Sequence, residues 1–470
     1  MAEWEPVIGL EIHVQLKTRT KMFCRCPNGF AAEPNTQTCP VCLAFPGALP
    51  TPNETAVAWT LKLGLALGCE IAPRALFHRK HYPYPDLPKG YQISQYDEPL
   101  CVDGTFAVPG EDGDFEVGIV RAHLEEDAAK TIHVGGATGR IVGAAHSNID
   151  FNRGGTPLVE IVTRPDLRSA EQARRFLQLL RQTVVELGIS DAEMEKGQLR
   201  ADANVSVRER GEIGYRTRTE LKNMNSFNHI ARGIEAEVRR QVATWESGGE
   251  VVQQTLDYEV KSDTVTPRRR KEEADDYRYF PEPDLVPIEP EAELLDRLRA
   301  ELPALPGERI RGLAADVGFD HAVDLVSTGN EHKARLLVEH GLDWPTAANV
   351  AMNQLASIDP LPQNGAALVE IIRRRDTIPR ETLLASLADS AGGPIDASAV
   401  LAQTVVADTS ELEPLVDRIL AASPVQVASY RGGKQGLLGY FVGQVMKETQ
   451  GKADPKVVNE LLRSKLGESG

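Results

Sequence analysis

Three segments of the chain place acidic, basic and imidazole side chains at every second position. In residues 7–16 these positions hold Gly9, Glu11, His13 and Gln15, and the positions between them are apolar. The same alternation recurs in residues 117–127, with Arg121, His123, Glu125 and Asp127, and in residues 199–208, with Arg200, Asp202, Asn204 and Ser206. Because successive side chains of a β-strand point to opposite faces, each segment is predicted to form a strand with one apolar and one polar face.

An antiparallel sheet with one solvated face is the ordinary interpretation of any single strand of this kind. Solvated strand faces usually carry Thr, Lys and Ser, whereas these three repeat Glu, His, Asp, Asn and Arg, which predicts a shared polar cavity. Carboxylate oxygens suit Mg²⁺ that bridges nucleotide phosphates, and arginines offset the charge of a phosphoryl group in transfer. The sequence has no GxxxxGK(S/T) and no GxGxxG after a strand, which argues against a P-loop or Rossmann site.

Four cysteines form two closely spaced pairs. Cys24 and Cys26 are followed, after twelve residues, by Cys39 and Cys42. Two such pairs across a loop predict a tetrahedral Cys₄ zinc site within residues 24–42, and its closed coordination makes it structural. The alternative is four reduced thiols without a metal.

Two further segments could contact nucleic acid or an anion. Residues 78–95, HRKHYPYPDLPKGYQISQ, interleave basic side chains with tyrosines, as stacking on single-stranded RNA requires. A proline-stiffened surface loop is the alternative interpretation. Residues 152–157, NRGGTP, form a predicted tight turn whose amides and Arg153 could bind an anion, although the pattern equally fits a simple turn.

The composition excludes several classes of protein. The chain has 470 residues, 52 basic and 68 acidic side chains, a net charge of −16 and 41% hydrophobic residues, which excludes a disordered chain and suggests about two to four domains. The net charge argues against non-specific coating of nucleic acid. Basic residues nevertheless concentrate at 268–271 (RRRK) and in residues 424–470, where seven Lys or Arg face four Asp or Glu.

The expected location is the cytoplasm. No apolar run reaches the roughly 18 residues that a membrane span needs, and the N-terminus MAEWEPVIGL lacks the basic region of a signal peptide. Cytosolic thiols stay reduced, which favours metal ligation over disulfides for the clustered cysteines.

The predicted fold class is α+β, with three regions. Residues 1–288 are predicted to form a domain built on a mostly antiparallel sheet with helices, residues 289–404 an all-helical domain, and residues 405–470 a helical tail. One helix of the first domain begins after Ser169 and ends before Gly188, and another spans about 227–245. Four prolines within residues 280–290 place a domain boundary there.

Long motifs throughout the chain resemble one family. They are IGLEIHVQLKT, KMFCRC with TCPVC, YPDLPKGYQISQYD, RAHLEEDAAK, IDFNRGGTPLVEIVTRPD, ELKNMNSF, DYRYFPEPDL and GQVMKETQGKADPKVVNELL. In this order and over nearly the whole length, the sequence resembles the B subunits of the aspartyl/glutamyl-tRNA(Asn/Gln) amidotransferases. The resemblance implies a carbon–nitrogen ligase with glutamine as amido donor, which converts Glu-tRNA(Gln) or Asp-tRNA(Asn) into Gln-tRNA(Gln) or Asn-tRNA(Asn).

The resemblance also implies partners and cofactors. Proteins of this family act in a heterotrimer with an amidase (glutaminase) subunit, which supplies ammonia, and with a small third subunit. ATP activates the side-chain carboxyl as an acyl phosphate at a Mg²⁺ site, and ammonia then displaces the phosphate. The first domain resembles the family's cradle-shaped catalytic domain, and the tail resembles the segment that binds the tRNA.

Carried onto this sequence, the resemblance assigns candidate residues to each role. The Mg²⁺ and catalytic candidates are Glu11, His13, Glu125 and Asp150, with Arg153 and Arg200 offsetting charge. The candidates for nucleotide or substrate contacts are Glu126, Asp127, Asn152, Asp202, Lys89, Tyr91 and His81. The candidates for tRNA contacts in the tail are Arg431, Lys434, Lys447 and Lys452.

Two other functions stay open at this point. A stand-alone Mg-dependent carboxylate ligase or phosphotransferase for a small molecule would use the same carboxylates without needing the tail. A tRNA-binding scaffold without catalysis would use the polar face only to recognise a tRNA end. The sequence leaves open whether Glu-tRNA(Gln), Asp-tRNA(Asn) or both are substrates.

Overall fold

The computed structural model describes residues 3–29, 31–111, 113–135, 143–267, 277–403, 409–449 and 453–467. The chain divides into two compact units, Met1–Gly312 and Leu313–Gly470. The first is rich in strands and the second is helical, which confirms the predicted α+β class. The predicted boundaries near residues 288 and 404 remain predictions. Lys452 and the basic segment 268–271 lie outside the described residues.

The described residues form fourteen strands, all in the first unit. They are β1 (Trp4–Gln15), β2 (Glu70–Ile71), β3 (His78–His81), β4 (Tyr91–Ser94), β5 (Cys101–Val108), β6 (Phe115–Glu126), β7 (Lys130–Val134), β8 (His146–Asp150), β9 (Pro157–Thr163), β10 (Leu199–Glu209), β11 (Thr219–Lys222), β12 (Thr255–Glu259), β13 (Thr264–Pro267) and β14 (Phe280–Pro281).

The same residues form fifteen α-helices. They are α1 (Glu54–Ala66), α2 (Ala170–Glu186), α3 (Phe227–Glu246), α4 (Ala292–Ala300), α5 (Pro306–Val317), α6 (Phe319–Ser327), α7 (Glu331–Glu339), α8 (Trp344–Asn353), α9 (Gly365–Arg373), α10 (Arg380–Asp389), α11 (Ala397–Leu401), α12 (Thr409–Ala422), α13 (Pro424–Arg431), α14 (Leu438–Glu448) and α15 (Pro455–Leu466). No helix in the described part of the chain has the length and apolar composition needed to cross a membrane.

A nine-stranded sheet, as far as the chain is described, organises the first unit. Its strand order is β13-β12-β11-β10-β1-β9-β6-β5-β2, and every pairing is antiparallel except that of β11 with β12. The three predicted strands are β1, β6 and β10, and β9 lies between β1 and β6. The alternation of β1 is visible in its burial, since Ile8, Leu10, Ile12 and Val14 are buried in the core.

The two helices predicted in this unit are present and begin where their capping residues stand. The Ser169 hydroxyl accepts a hydrogen bond from the backbone N–H of Gln172 at the start of α2, and Ser226 does the same for His229 at the start of α3. Gly188 follows α2 with a φ of 73°, a conformation that glycine adopts without strain. The apolar side of α2 is buried, and α3 packs on β10.

Two small sheets lie outside the large one. The aromatic and basic segment 78–95 forms β3 and β4, which pair with each other and with β14. Strands β7 and β8 pair only with each other in the described structure, and β8 ends at Asp150. Strand pairing therefore holds the segment 78–95 at both of its ends. The interpretation as a surface loop does not account for this pairing.

The second unit consists of helices, and its end has its own core. Helices α12–α15 bury Val416, Phe441, Val445, Val458 and Leu462 together. The described residues of the tail form four helices, where the sequence predicted two or three. The extra helix arises because Pro424 begins a new helix, α13, directly after α12. Proline is favoured at the first position of a helix, where a missing backbone N–H group costs nothing.

Candidate active site

His13 on β1 is surrounded by three carboxylates. Its Nε2 atom lies 3.5 Å from Oε2 of Glu160, 3.7 Å from Oε1 of Glu125 and 4.0 Å from Oε1 of Glu11. The strand register explains the cluster, because His13 is paired with Glu160 on β9, and His123 of β6 is paired with Glu160 from the other side. Three neighbouring strands thus direct their polar positions to one place.

Two sets of side chains in this cluster bring possible metal-ligand atoms close together. Glu11, His13 and Glu160 form one set and His123, Glu125 and Glu160 the other, and in each set the ligand atoms lie within 4.8 Å of one another. Glu160 belongs to both. Carboxylate oxygens dominate the donors, which is the chemistry that a hard cation such as Mg²⁺ requires. The residues present therefore fit a divalent cation.

The charges in the cluster are strongly coupled. Burial opposes protonation of His13, but its hydrogen bond to Glu160 and the three nearby carboxylates outweigh burial and raise the pKa of His13 to about 9. Burial and repulsion from Glu160 raise the pKa of Glu125 to about 7. Burial lowers the pKa of His123 to about 4, so that His123 stays neutral. The positive charge of protonated His13 therefore neutralises the same carboxylates that a bound metal cation would neutralise.

Basic side chains approach the same cluster. The Nη2 atom of Arg121 lies 3.4 Å from Oε1 of Glu160. The ammonium of Lys80, on β3, is desolvated, which disfavours its charge, but Glu125, Tyr279 and Glu160 more than compensate and raise its pKa. The Lys80 Nζ atom lies 4.7 Å from the centre of the Tyr277 ring. Residues of the small β3–β4–β14 sheet and of the segment before β14 therefore border the polar face.

Glu126 and Asp127 have different partners from Glu125. The Lys89 ammonium and the backbone N–H of Ile93 bind Oε1 of Glu126. Gln15 donates a hydrogen bond of 2.6 Å to Oδ2 of Asp127. Glu125 reaches His13 and also accepts a hydrogen bond of 3.2 Å from the Ser94 hydroxyl at the end of β4, whereas Glu126 is bound by Lys89 and Ile93.

Asp127 is also held by two arginines. Burial favours the neutral acid, but Arg200, at 3.2 Å, and Arg153, at 3.9 Å, lower the pKa of Asp127. Arg153 donates hydrogen bonds to the carbonyl oxygens of Ala128 and Ala129. Both arginines are half-exposed, but Arg153 is held by the carbonyl oxygens of the turn, whereas Arg200 is bound to Asp127.

Asp150 does not join the carboxylate cluster. Its Oδ1 atom accepts hydrogen bonds of 3.0 Å from the backbone N–H groups of Asn35 and Asn152. Asn152 in turn binds the backbone of Gln37 and Glu33. The reason is topological: Asp150 ends β8, which pairs with β7 and not with the large sheet. Among the described residues, neither of the two sets of carboxylate and imidazole ligands includes Asp150. Its hydrogen bonds, and those of Asn152, instead place both residues beside the cysteine loop.

The remaining predicted side chains lie around the polar face or on the small sheet. Asp202 stands opposite Glu11 in the pairing of β10 with β1 and binds the ammonium of Lys222. The ring of Tyr91 lies under the guanidinium of Arg79, with 4.5 Å between Arg79 Cζ and the ring centre. His81 contacts the carbonyl oxygen of Arg278 through Nδ1, at 3.2 Å.

The four cysteines predicted to bind zinc are brought together. Their sulfur atoms all lie within 4.8 Å of one another, and those of Cys39 and Cys42 are 3.9 Å apart. Tetrahedral zinc with Zn–S bonds of about 2.3 Å requires sulfur atoms about 3.8 Å apart, so the donor set fits. A hydrogen bond from the Cys24 thiol, together with the charge of Lys21, lowers the pKa of Cys42 to about 5 against the effect of burial.

A cavity of about 240 Å³ adjoins the cysteine cluster. Its lining includes Phe23, Cys42, Lys89, Tyr91 and Glu126. Two of the predicted substrate contacts, Lys89 and Tyr91, therefore line this cavity together with Glu126. The cavity connects the predicted zinc loop to the segment that follows β3.

The tail residues differ in their surroundings. The guanidinium of Arg431 donates to the carbonyl oxygens of Leu466 and Lys465 at the end of α15, both at 3.3 Å. Lys434 and Lys447 are exposed. Arg431 therefore stabilises the tail, while the two lysines present their charges to solvent.

Sequence reasoning missed Glu160 and Lys80. Glu160 is the one acidic residue in the otherwise buried apolar strand β9, and such a carboxylate needs a partner or a ligand. Lys80 lies in the basic segment HRKH, where the alternation of β3 separates it from Arg79. His123 was placed on the polar face but given no role.

Comparison with known proteins identifies two matching family models. Residues 6–296 match the model described as the GatB/GatE catalytic domain, and residues 352–466 match the model described as the GatB domain. A relative from Rhodococcus jostii, named as the B subunit of an aspartyl/glutamyl-tRNA(Asn/Gln) amidotransferase, is 45% identical over 99% of this chain and 97% of its own length. Relatives of the same name from Frankia casuarinae and Syntrophotalea carbinolica are 46% and 43% identical, over 100% and 99% of this chain and 97% and 99% of their own lengths.

Proposed function

The chain belongs to the family of aspartyl/glutamyl-tRNA(Asn/Gln) amidotransferase B subunits, and from this premise we propose that it carries the ATP-dependent amidation site. The substrates are Glu-tRNA(Gln), Asp-tRNA(Asn) or both. One observation carries the proposal: Glu11, Glu125 and Glu160 converge on His13 at the polar face of the sheet. Carboxylates gathered in this way suit a nucleotide whose phosphates arrive with a divalent cation.

In the first step, the side-chain carboxylate of the aminoacyl group attacks the γ-phosphorus of ATP. A bond forms between a carboxylate oxygen and phosphorus, and the bond from phosphorus to the ADP oxygen breaks, leaving its electron pair on ADP. Glu11, Glu125 and Glu160 would hold Mg²⁺, with His13 as a ligand only once it has lost its proton, and the ion would supply positive charge that offsets the phosphate oxygens. The residues themselves hold the reacting groups in line, since phosphoryl transfer depends on positioning and electrostatics.

In the second step, ammonia attacks the carbonyl carbon of the acyl phosphate. A carbon–nitrogen bond forms, the carbon–oxygen bond to phosphate breaks, and the proton lost by nitrogen leaves on inorganic phosphate. No covalent bond to the protein is needed. Burial lowers the pKa of His123 to about 4, so His123 stays neutral beside Glu160 and is a poor proton acceptor, in keeping with a proton that leaves on phosphate.

The basic residues have separate roles in this proposal. Arg121 fixes Glu160, and Lys89 fixes Glu126. Arg200, whose guanidinium is half-exposed beside Asp127, is the candidate for contact with substrate phosphate. Asp150, Asn152 and Arg153 support the cysteine loop and the turn and are not assigned to the chemistry.

We also propose a structural zinc ion at Cys24, Cys26, Cys39 and Cys42. The sulfur separations suit tetrahedral coordination, and the four thiols leave no position for a substrate. The loop they close forms a wall of the 240 Å³ cavity. Zinc therefore maintains the cavity and takes no part in the reaction.

The tRNA and the partner proteins complete the proposal. Lys434 and Lys447 of the tail bind tRNA phosphates through their exposed ammonium groups. The amidase (glutaminase) partner supplies ammonia, and the small third partner completes the heterotrimer. Supporting this assignment, the B-subunit relatives match over almost their whole length. The cytoplasm is the proposed location.

The proposal is tested with the chain co-purified with its amidase and small partners. The assay supplies misacylated tRNA, Mg²⁺, ATP and free ammonia, which bypasses the glutaminase, and measures amidated aminoacyl-tRNA. Native complex should form product with ATP hydrolysis, and Glu11→Gln should form none while still binding tRNA. The control Glu193→Gln, at a half-exposed side chain paired with Lys196, should match native. Native turnover in Glu11→Gln would disprove the placement of the site. Binding of tRNA without ATP use by native complex would favour a scaffold, and product unaffected by loss of the tail would favour a stand-alone ligase.

A further inference from the structure

Lys80 has surroundings unlike those of the other basic residues near the polar face. Strand β3 carries it, paired with Gln92 of β4, and its ammonium lies 4.7 Å from the centre of the Tyr277 ring. The side chain is partly buried and interacts electrostatically with Glu125 and Glu160. Lys80 therefore places a positive charge beside the carboxylate cluster.

The neighbouring cations are already committed to carboxylates. Arg121 is paired with Glu160, Lys89 with Glu126, and Arg200 with Asp127. Within the described parts of the chain, the Lys80 ammonium donates no hydrogen bond and forms no ion pair at 4.0 Å or less. A partly desolvated ammonium without an acceptor is costly, so this position is suited to a ligand that brings anionic oxygens.

The side chains of Tyr277 and Tyr279 form an aromatic wall beside Lys80. Tyr279 stacks on Tyr96, with 4.3 Å between ring centres and 7° between ring planes. Burial raises the pKa of Tyr279 to about 12, so its phenol stays neutral at physiological pH. The ring of Tyr277 restricts the ammonium through a cation–π contact. These rings do not neutralise the Lys80 ammonium, so its positive charge acts on the polar face of the sheet.

We propose that Lys80 binds the phosphoryl group as it passes from ATP to the aminoacyl carboxylate. This inference rests on the proposed function and adds to it a specific substrate contact. As the carboxylate oxygen bonds to the γ-phosphorus and the bond to ADP breaks, the phosphoryl oxygens carry negative charge that needs a counter-charge in addition to Arg200, whose guanidinium is shared with Asp127. The ammonium of Lys80 supplies it as a compact point charge.

A different role would be purely electrostatic support of the protein. In that case Lys80 only neutralises Glu125 and Glu160, and its removal would leave those carboxylates more negative. Divalent cation would then bind more tightly, and the rate at saturating Mg²⁺ and ATP would be unchanged. The two roles therefore differ in the maximal rate: loss of a phosphoryl contact lowers it, and loss of electrostatic support leaves it unchanged.

The experiment compares Lys80→Met, Lys80→Arg and the control Lys196→Met in the assembled complex. Lys196 is exposed and paired only with Glu193 in the described structure. The variant Lys196→Met therefore measures the effect of removing one lysine charge at the surface. The assay measures amidation with free ammonia over a range of ATP and Mg²⁺ concentrations, together with tRNA binding and the thermal unfolding midpoint. Should Lys80→Met not fold, Lys80→Gln, whose amide can donate to the nearby carboxylates, replaces it.

The proposal predicts that Lys80→Met lowers kcat by about 100-fold, the usual effect of losing one preorganised donor to a reacting oxyanion. Lys80→Arg should recover part of the rate, tRNA binding should be unchanged, and Lys196→Met should match native. A kcat of Lys80→Met within threefold of native, with or without tighter Mg²⁺ binding, would overturn the role of Lys80 while leaving the amidation site intact. An inactive native complex would instead overturn the proposed function.

Discussion

The Nε2 atom of His13 lies 3.5 Å from the Oε2 atom of Glu160. This contact joins β1 to β9, and the same carboxylate oxygen lies 3.7 Å from Nε2 of His123 on β6. Glu160 therefore stands between two imidazoles of opposite character, one with a raised pKa and one with a lowered pKa. Its place in both candidate ligand sets makes it the centre of the cluster.

Replacing Glu160 by glutamine should abolish most of the activity. Glu160→Gln removes the negative charge shared by the two ligand sets, so we expect weaker Mg²⁺ binding and a kcat at least about 100-fold lower. Titration of activity with Mg²⁺ in the assembled complex measures both effects. The control Glu193→Gln, at a half-exposed side chain, should behave as native. Native activity and native Mg²⁺ dependence in Glu160→Gln would remove Glu160 from the site.

The cysteine loop should contain one zinc ion per chain. Elemental analysis of the purified native protein measures it, and Cys39→Ser should lose the metal. Because structural zinc contributes directly to folding, we also expect a lower unfolding temperature and a more protease-sensitive loop. Cys69→Ser, which alters a buried cysteine outside the cluster, should keep its zinc. A native protein without stoichiometric zinc, or a Cys39→Ser protein that retains it, contradicts this prediction.

The tail should bind tRNA through Lys434 and Lys447. Changing both to alanine should weaken tRNA binding and reduce the slope of log affinity against log salt concentration by about one unit for each lysine, since fewer counterions are released. The unfolding temperature should not change, because both side chains are exposed. Filter binding at several salt concentrations makes the measurement.

Arg431→Ala provides the contrasting case in the tail. Its guanidinium holds two carbonyl oxygens at the end of α15, so its loss should lower the unfolding temperature. If Arg431→Ala leaves stability unchanged but reduces the salt slope, Arg431 is a phosphate contact. If the double lysine variant binds tRNA as native does, the tail site lies elsewhere.

Asp127 should stabilise the protein in a pH-dependent way. Its pKa is lower in the folded protein than in the unfolded chain, because Arg200, Arg153 and Gln15 bind the carboxylate despite its burial. Its contribution is therefore fully present above the unfolded pKa of about 3.9 and is lost as the pH falls through the folded pKa. Urea unfolding should show a larger deficit of Asp127→Asn relative to native at pH 7 than at pH 3. A deficit that does not shrink in acid contradicts the assignment.

The sequence alone predicted the strands of the site better than their neighbours. Alternation identified β1, β6 and β10 and placed Glu11, His13 and Glu125 on polar faces, because a period of two depends on local geometry. It did not predict the register shift between Ile119 and Arg121 in β6, which leaves Val120 exposed. It could not predict that β9 lies between β1 and β6, which is a matter of long-range pairing. Glu160 was missed for that reason.

The family resemblance alone suggested Asp150 as a ligand, and no alternation in the sequence places it with Glu11 or Glu125. Pairing of β8 with β7 instead carries it to the backbone of Asn35. The cysteine cluster was predictable because its four ligands lie within one loop, whereas Lys80 reaches the polar face only through the packing of a separate sheet.

The central claim is that this chain catalyses transfer of a phosphoryl group to the substrate carboxylate, and oxygen tracing tests it most directly. Misacylated tRNA carrying ¹⁸O in the side-chain carboxyl is given to the assembled complex with Mg²⁺, ATP and ammonia. Attack of the carboxylate on the γ-phosphorus predicts one ¹⁸O atom in each inorganic phosphate released, and no labelled phosphate from Glu11→Gln. Phosphate without ¹⁸O, formed together with amidated tRNA, would contradict the account.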